Sequence, residues 1–373
     1  MDQKYYKQTQ FLMKRIFISH ILPPHLIQKY KLSMAACNFS YNLMSGNLFD
    51  TTFSNLGTYV GGKLENEAYG DKRFKLFYNT FLRNKGRLGI ITATFVEQWT
   101  MFRNIPCGAS VWLYNVTTIN AALYFLLRVF KPSVQVNVIE LDFTPVGRGI
   151  GLNQLFLWII NNCHGNIRLA YSPLFTNKNS DTLPGVVPKG AGDELKIDKP
   201  NNKFLLSGVL NDQISQIKMV LKAFASLPQC ELHITGKTDD ERFVKEYSNS
   251  YPNIVWHGNV SFSEYMNIMH SCTFQLSTRD PNAPENQCNF PSKVIETLLH
   301  NRIIISTIEY RQIDGIKYFK VDSDMEKFVE QINEISSLPE SLLMQYANQG
   351  KQVIDKFNTD VWNATMEKIE KQS

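Results

Sequence analysis

Short apolar runs alternate with stretches of helical spacing along the whole chain, and this alternation limits the fold more than any other feature. Runs such as Phe204–Ser207 and Ile303–Ser306 lack the period-two pattern of polar residues. Strands without that pattern are buried on both faces, as in parallel sheets covered by helices on both sides. The sequence therefore predicts the α/β class, with doubly wound, Rossmann-like parallel sheets.

The predicted elements form two groups separated by a polar stretch. In the first half the predicted strands are Arg15–Ser19, Leu88–Ala93, Val111–Asn115, Val134–Leu141 and Arg168–Tyr171, and the predicted helices are Ile119–Phe130 and Leu152–Asn161. In the second half the predicted strands are Phe204–Ser207, Glu231–Thr235, Ile254–His257, Thr273–Leu276, Ile303–Ser306 and Tyr318–Val321, and the predicted helices are Gln216–Ala225, Phe262–Met269 and Ser292–His300.

The length of 373 residues exceeds what one hydrophobic core usually supports, so two domains are expected. Residues 175–202 are rich in Asn, Asp, Gly, Lys and Pro, which is typical of a linker, with one short strand predicted at Val186–Val187. We place the first domain at residues 1–180 and the second at 181–358. Thr359–Lys371 predicts an amphipathic helix that packs back on the first domain, to which residues 359–373 are assigned.

The net charge of +5 conceals an asymmetry between the two halves. Residues 1–180 contain 19 Lys and Arg against 8 Asp and Glu, a net +11, whereas residues 181–373 contain 20 against 26, a net −6. This asymmetry indicates an anionic partner for the first half; drift in surface composition is the alternative. No nucleic-acid partner is predicted, because no recognition motif accompanies the charge.

The six cysteines are scattered, with no C-x-x-C pair and no Cys/His cluster, so neither a disulfide framework nor a zinc site is predicted. This usage favours a reducing, cytoplasmic compartment. Residues 1–15 lack the apolar run of a signal peptide. The most apolar stretch, Ser110–Phe130, contains several Asn and Thr residues and is interpreted as a strand, a turn and a helix instead of a membrane span.

Glycines follow three successive predicted strands of the second half, at Gly208, Gly236 and Gly258, and the fourth strand leads into Ser277–Arg279. Ligands of open parallel sheets bind at the carboxyl ends of the strands, where glycine lets the backbone approach a ligand closely. The three positions predict a ligand site at that edge; a set of simple turns is the alternative.

The segment Asn289–Leu298 combines a helix start with charged residues. Pro291 suits the first turn of a helix, and Ser292 is expected to cap its N–H groups. The helix N-terminus and Lys293 together favour a phosphate group, and Glu296 is placed to accept hydrogen bonds from two ribose hydroxyls. The alternative is a capped helix whose Lys and Glu face solvent.

These segments, together with Asn253–Gly258 and the run to Ser306, resemble the nucleotide-sugar-binding half of family 4 glycosyltransferases, in the variant with a Pro-Ser-Lys-x-x-Glu loop. The resemblance covers Lys203–Thr307 and implies the GT-B fold, with two domains facing a cleft. It implies that Glu296 binds the donor ribose and that amides of the preceding loop bind the diphosphate. The expected donor-binding residues are Gly208, Val209, Gly236, Gly258, Arg279, Glu285, Asn289, Phe290, Pro291, Ser292, Lys293, Glu296 and Thr297.

The chain departs from the family's pattern in two ways. The first of the two glutamates found in many relatives would fall at Cys288, so Glu285 or Asn286 is expected to meet the sugar instead. The usual Arg/Lys pair after the first glycine is missing, so Lys293 and Arg279 are expected to neutralise the phosphates.

The acceptor side is predicted to follow strands of the first half. Relatives often have a histidine after a central strand there, whereas this chain has Glu140 and Asp142. His20, His25 and Asn115 are further acceptor-side candidates. A structural role is the alternative for each.

Two aromatic segments, residues 74–84 and 124–130, are interpreted mainly as core or interface at helical spacing. The basic residues in and around the first are Lys72, Arg73, Lys75, Arg83, Lys85 and Arg87. Two interpretations of this basic segment remain open: peripheral contact with an anionic membrane and a solvated helix.

The predicted function is a retaining glycosyltransferase, which moves a sugar from a nucleoside diphosphate donor, UDP in preference to GDP, to a glycan or lipid-linked acceptor in surface polysaccharide or glycoconjugate synthesis. By the resemblance no cofactor or metal ion is needed, because the helix N-terminus and basic residues carry the leaving diphosphate. Catalytic roles are expected for Lys293, Glu296 and Asp142. Two rivals remain: a nucleotide-sugar epimerase on the same fold, and a non-catalytic glycosyltransferase-like partner subunit.

Overall fold

The computed structural model describes residues 13–22, 34–56, 73–145, 151–188, 190–191 and 195–372. The strands are β1 (Arg15–Ser19), β2 (Thr51–Ser54), β3 (Phe74–Leu76), β4 (Ser110–Tyr114), β5 (Gln135–Glu140), β6 (Gly165–Arg168), β7 (Ser180–Thr182), β8 (Lys203–Leu210), β9 (Glu231–Thr238), β10 (Ile254–Trp256), β11 (Phe274–Ser277), β12 (Ile303–Ser306) and β13 (Phe319–Lys320). The helices are α1 (Met34–Ser45), α2 (Thr80–Arg83), α3 (Gly86–Asn104), α4 (Ala121–Phe130), α5 (Leu152–Asn162), α6 (Ile217–Ala225), α7 (Glu241–Ser250), α8 (Phe262–Ser271), α9 (Ser292–Leu299), α10 (Met325–Ser336), α11 (Glu340–Leu343), α12 (Gly350–Phe357) and α13 (Thr359–Lys371).

The first sheet runs in the order β3-β2-β1-β4-β5-β6-β7, with every pairing parallel. One face, with Ile18, Val111 and Leu113, packs against α3, α4 and α5. The other face, with Phe17 and Trp112, packs against α1 and α13. The central strands β1 and β4 are thus covered on both sides, as their uninterrupted apolar runs predict.

The second sheet runs in the order β10-β9-β8-β11-β12-β13 and is also parallel throughout. Its longest pairing joins β8 to β9, from Lys203 opposite Glu231 to Leu210 opposite Thr238. The predicted α/β class with two doubly wound parallel sheets is confirmed.

The helix α13 returns to the first sheet, as predicted. Asn358 caps it, because its Oδ1 accepts hydrogen bonds from the amides of Asp360 at 2.9 Å and Val361 at 3.1 Å. Near the other end, Glu370 accepts from Arg15 Nη2 at 2.6 Å and from Trp112 Nε1 at 3.0 Å. These contacts fix the helix against the face that carries Phe17 and Trp112.

The chain crosses between the sheets twice, and the two crossings are bonded to each other. The amide of Val187 donates to the carbonyl of Phe357 at 2.9 Å, and Val187 forms an isolated parallel bridge with Asn358, where a short strand was predicted. The strand β7, which ends at Thr182, belongs to the first sheet.

The prediction of a strand at Leu88–Ala93 is wrong, because these residues lie in α3. The run is rich in isoleucine and threonine, which favour strands locally. In the structure Gly89, Ala93 and Glu97 are buried at helical spacing on one side of α3. Packing on that side stabilises the helix and outweighs the local preference for a strand.

The helical spacing predicted for residues 74–84 is wrong in part, because Phe74–Leu76 is strand β3 and only Thr80–Arg83 is helical. Arg83 is buried, and its Nη2 lies 2.7 Å from Glu97 Oε2. Arg83 therefore belongs to the core instead of to a solvated or membrane-facing basic segment. Lys72 lies outside the described residues.

Three further strands and one boundary differ from the prediction. The strands β2, β3 and β7, each of three or four residues, have no predicted counterpart, since they are too short to show a period. The strand predicted at Arg168–Tyr171 lies earlier, at β6. The stretch Ser110–Phe130 forms β4, a turn and α4, and no helix in the described ranges is both long and apolar enough to cross a bilayer.

Candidate active site

The strand order of the second sheet reverses between β8 and β11, and the carboxyl ends at such a point form a crevice. Gly208 on β8 lies opposite Gly236 on β9, and the amide of Gly236 donates to the carbonyl of Gly258 at 3.0 Å. The three glycines singled out in the sequence therefore lie side by side at this edge.

Gly208 and Gly236 both have backbone angles that favour glycine, with φ of +105° and +138°. A Cβ atom on Gly236 would lie 2.0 Å from the carbonyl oxygen of Gly208, so the approach of the two strands requires glycine there. A Cβ atom on Gly208 would meet open space. The edge at Gly208 is thus open for the backbone to approach a ligand.

Lys293 reaches this edge from the first turn of α9. Its Nζ donates to the carbonyl oxygen of Ser207 at 3.1 Å, immediately before Gly208. Burial, together with the nearby charge of Arg279, lowers the pKa of Lys293 to about 7. An anionic group bound here would restore the charged form of the lysine.

The start of α9 differs from the prediction. Pro291 is the N-cap residue, with φ −70° and ψ 113°, and Ser292 is the first helical residue. Ser292 is exposed and makes no capping hydrogen bond, because it lies inside the first turn instead of before it. The prediction that Ser292 caps the helix is therefore wrong, and the first turn has no capping side chain.

Glu296 lies one turn further along α9, where it is held by a residue that the sequence did not suggest. The hydroxyl of Tyr265 on α8 donates to Glu296 Oε2 at 3.3 Å. Burial raises the pKa of Glu296, and the hydrogen bond from Tyr265 opposes that effect. No sequence motif marks Tyr265, because its partner lies on another helix.

Arg279 follows β11, and its backbone is held by Thr307. The Thr307 hydroxyl donates to the carbonyl of Arg279 at 2.6 Å and accepts from its amide at 2.7 Å. The guanidinium Nη1 donates to Asn286 Oδ1 at 2.9 Å, while Nε is buried without a hydrogen-bond partner among the described residues. Arg279 is therefore fixed in place and retains a buried donor.

Three other predicted donor-binding residues lie at the surface of the crevice or in its loop. Val209, beside Gly208, is 49% exposed. Glu285 is exposed on a short 3-10 turn, Pro284–Gln287. Asn289 Oδ1 is buried and has no partner in the part of the chain that the structure describes.

Phe290 and Thr297 lie in the packing behind the crevice. Phe290 packs edge-on against Tyr310, with ring centres 5.1 Å apart. Thr297 is fully buried in α9, and its hydroxyl has no partner among the described residues. Their positions indicate support of the loop and the helix.

On the first domain, Glu140 and Asp142 follow one another at the end of β5. Glu140 is buried, and its Oε2 accepts from the amide of Val116 at 3.2 Å. Burial, with a smaller effect of the Asp142 charge, raises the pKa of Glu140 to about 8, so this carboxyl is mainly protonated at neutral pH.

Asp142 keeps access to solvent. Desolvation by the surrounding protein raises the pKa of Asp142, and the charge of Arg279 lowers it. Phe143, next to Asp142, packs in one cluster with Cys288, which lies in the loop that follows Arg279. The carboxyl ends of the two sheets therefore face each other, with Asp142 on one side and the loop from Arg279 to Cys288 on the other.

The remaining acceptor-side candidates are held by the first domain itself. Asn115, at φ +47°, accepts a hydrogen bond from the amide of Leu141 at 2.7 Å and so ties the end of β4 to the end of β5. The ring of His20 lies edge-on to Tyr114 at 5.0 Å, and burial lowers its pKa. His25 lies outside the described residues.

Cys288 occupies the position of the glutamate that is missing from the family pattern. It is buried, and its Sγ lies 3.4 Å from the hydroxyl of Ser172 in the first domain. It also packs in one cluster with Phe143 and Phe175. The position thus serves the contact between the domains. Within the described ranges, no three His, Cys, Asp or Glu side chains are grouped to hold a metal ion.

Comparison with solved structures finds several that match nearly the whole chain. One is the N-terminal domain of Candida albicans trehalose-6-phosphate phosphatase, with a TM-score of 0.70 and 11% identity, covering 96% of this chain and 97% of that chain. Another is sucrose-phosphate synthase from Thermosynechococcus elongatus, with a TM-score of 0.64 and 14% identity, covering 96% and 98%. A third is HepE from Anabaena in complex with UDP and glucose, with a TM-score of 0.62 and 13% identity, covering 97% and 100%.

No family model matches the chain, and no curated protein matches its sequence. The identities to the solved structures are low, so the similarity establishes the fold and not the activity. The two parallel sheets with their covering helices agree with that fold. The chain therefore has the two-domain GT-B fold, as the sequence resemblance implies.

Proposed function

We propose that the chain is a glycosyltransferase that uses a UDP-sugar and acts on a glycan or lipid-linked acceptor with retention at the anomeric carbon. The observation that carries the proposal is the position of Lys293, whose Nζ lies 3.1 Å from the carbonyl of Ser207 beside the open edge of Gly208. A diphosphate at this edge would meet Lys293 and the uncapped first turn of α9, with Arg279 nearby.

The similar structures support UDP as the nucleotide. The HepE structure contains UDP and glucose in a chain that matches this one over its full length. On this proposal the ribose hydroxyls donate to Glu296, which Tyr265 holds in place at 3.3 Å. The donor loop would then extend from Arg279 through Asn289 to the start of α9.

The proposed reaction breaks the bond between the anomeric carbon and the β-phosphate oxygen and forms a bond from that carbon to an acceptor hydroxyl oxygen. Negative charge grows on the departing UDP, and Lys293 and Arg279 stabilise it in a partly buried site. For retention, the acceptor approaches from the side that UDP leaves, and its proton passes to a donor phosphate oxygen. These cations do the work that a metal ion does elsewhere, so the scheme needs none.

The first domain is proposed to hold the acceptor. Glu140, mainly protonated, can donate a hydrogen bond to a sugar oxygen, whereas Asp142 accepts from a sugar hydroxyl. Action in the cytoplasm, in peripheral contact with an anionic membrane, is part of the proposal. The charge of the first half supports it.

The donor site is tested by three substitutions. We expect Glu296→Ala to weaken UDP binding about tenfold or more, since hydrogen bonds to a charged group contribute about 1.5 to 3 kcal/mol. Lys293→Ala should slow hydrolysis of a UDP-sugar on the order of 100-fold, which is typical of removing one preorganised charge donor. Isothermal calorimetry with UDP and assays of UDP release measure the two effects.

Glu285→Ala is the matched control, because this glutamate is exposed on a nearby turn. It should change UDP affinity less than Glu296→Ala does. Unchanged UDP affinity in Glu296→Ala would remove this residue from the site. A protein that binds no nucleotide sugar at millimolar concentration would be a partner subunit, and one that converts the donor into its epimer would be an epimerase.

A further inference from the structure

The helices on one side of the first domain expose apolar side chains that the proposed chemistry does not use. Six large ones define the apolar face: Leu88, Ile91, Phe95 and Trp99 of α3, Phe130 of α4 and Trp158 of α5. Leu88 is 79% exposed and Ile91 67%. Exposure of this kind costs free energy in water unless another surface covers it.

Two polar side chains of α3, Glu97 and Gln98, point inward, while the apolar face lies on its outer side. Glu97 is buried, where it accepts from the amide of Asn79 at 2.6 Å and pairs with Arg83 at 2.7 Å. Gln98 is also buried, and its Oε1 accepts from the amide of Leu123 at 2.9 Å. A helix that faces water shows the opposite arrangement. The outer side of α3 therefore suits an apolar surrounding.

Ring contacts join the three helices into one surface. Trp99 lies 5.4 Å from Phe102, and Phe102 lies 6.2 Å from Phe130, between ring centres. Phe125 of α4 is stacked on Trp158 of α5 at 6.0 Å. The rings thus form two contacting groups, one that joins α3 to α4 and one that joins α4 to α5.

Among the described residues, the exposed charges on α3 and α4 and at Lys85, just before α3, all have one sign. They are Lys85, Arg87, Arg103 and Arg128. Between residues 74 and 139 the only acidic residue in the sequence is Glu97, which is buried against Arg83. Aromatic and aliphatic side chains with a basic border are complementary to anionic lipid.

We propose that the apolar face inserts into the interfacial layer of an anionic phospholipid bilayer. Two copies of the chain placed face to face would bring their basic borders together, which opposes dimerisation through this surface. The proposed membrane contact lies on α3, α4 and α5, and Arg83, which is buried, takes no part in it.

We further propose that the position of the apolar face helps to deliver the acceptor. This part of the proposal rests on the proposed function. In parallel sheets, α3, α4 and α5 each begin at the carboxyl edge of the strand before them. The crevice opens at that same edge. A lipid-linked acceptor in the bilayer would therefore lie beside the side of the crevice that carries Glu140 and Asp142.

The test is flotation with vesicles of phosphatidylcholine alone and of phosphatidylcholine mixed equally with phosphatidylglycerol. We expect binding to the anionic vesicles and a loss of about tenfold or more in the double variant Leu88→Gln/Phe95→Gln, because two exposed apolar side chains lose their insertion. Binding should also fall with added salt. Quenching of tryptophan fluorescence by brominated lipid gives a second readout through Trp99 and Trp158.

The matched control is Leu195→Gln/Phe262→Gln, a leucine and a phenylalanine exposed in the second half, at 40% and 62%. It should bind vesicles as the unchanged chain does. Failure to bind anionic vesicles, or equal binding of the two double variants, would overturn the proposal. So would a dimer that the Leu88/Phe95 variant converts to a monomer, because a second copy would then cover the face.

Release of UDP from a soluble UDP-sugar separates this proposal from the proposed function. Leu88→Gln/Phe95→Gln should leave that rate unchanged while it loses vesicle binding. If the wild-type protein binds vesicles but releases no UDP, only the glycosyltransferase proposal is contradicted.

Discussion

The amino group of Lys293 is charged or neutral according to what lies beside it. Burial and the charge of Arg279 lower its pKa from 10.5 to about 7. A bound diphosphate supplies the opposite charge and raises the pKa again. Binding above neutral pH therefore requires the uptake of a proton, and the affinity for UDP becomes a function of pH.

We predict that the UDP association constant falls between pH 7 and pH 9, by at most about tenfold for each pH unit, because free Lys293 loses its charge over this range. Calorimetry in two buffers of different ionisation enthalpy measures both the affinity and the proton uptake. Lys293→Arg keeps its charge at these pH values and should give a much flatter dependence. The same slope in both proteins would show that another group titrates.

At the scale of elements, α9 and α13 start in different ways. The first turn of α13 is capped by Asn358, whereas α9 begins at Pro291 with no capping side chain. A cap lost at α13 leaves two N–H groups without their partner. An uncapped start at α9 leaves its N–H groups for a ligand.

We predict that Asn358→Ala lowers the free energy of unfolding by about 1 kcal/mol, the usual value of an N-cap. Ser292→Ala should change it by less than about 0.5 kcal/mol, since the exposed hydroxyl caps nothing. The midpoints of urea unfolding compare the two variants. An equal loss in both would mean that Ser292 stabilises its helix after all.

The elements also show what a sequence of this kind can predict. The strands of the second sheet, and the glycines that follow three of them, could be predicted because most of these strands contain a short apolar run and are followed by a helix. The helical structure of Leu88–Ala93 could not be predicted in this way. The side of the helix that faces the core is determined by Gly89 and Glu97, and their partners lie on other elements.

The candidate site was predicted to a similar degree. Local signals place Lys293, Glu296 and the glycines at one edge. Other parts of the site depend on contacts between elements far apart in sequence. These are the hydrogen bond from Tyr265 to Glu296, the hydrogen bonds between Thr307 and Arg279, and the interaction of Asp142 with Arg279. Such contacts leave no periodic trace in one sequence, so the partners of a site residue are the part that only the structure provides.

At the scale of the whole molecule, Glu370 connects the end of the second half to the first sheet. It contacts Arg15, Trp112 and Ser110 through hydrogen bonds at 2.5 to 3.0 Å. Arg15 and Glu370 are 12% and 6% exposed in their side chains. A charge pair so little exposed is costly to break from one side.

We predict that Glu370→Ala destabilises the protein by about 3 kcal/mol, because it leaves the little-exposed Arg15 guanidinium without its counter-charge and with the amide oxygen of Asn363 as a remaining acceptor. The control is Lys371→Ala at the same end of α13, whose exposed pair with Glu367 at 3.5 Å should contribute less than about 0.5 kcal/mol. Urea unfolding measures both. A similar small effect for the two would show that α13 is held by its apolar contacts alone.

The return of α13 also sets an order of events during synthesis. The strands of the first sheet leave the ribosome early, but the face with Phe17 and Trp112 is completed by Trp362 and Met366, near the other end of the sequence. Domains usually fold in the order in which they are made. Here part of the core of the first domain stays uncovered until the second domain and α13 have been translated. We therefore expect the first domain to complete its folding after the second domain.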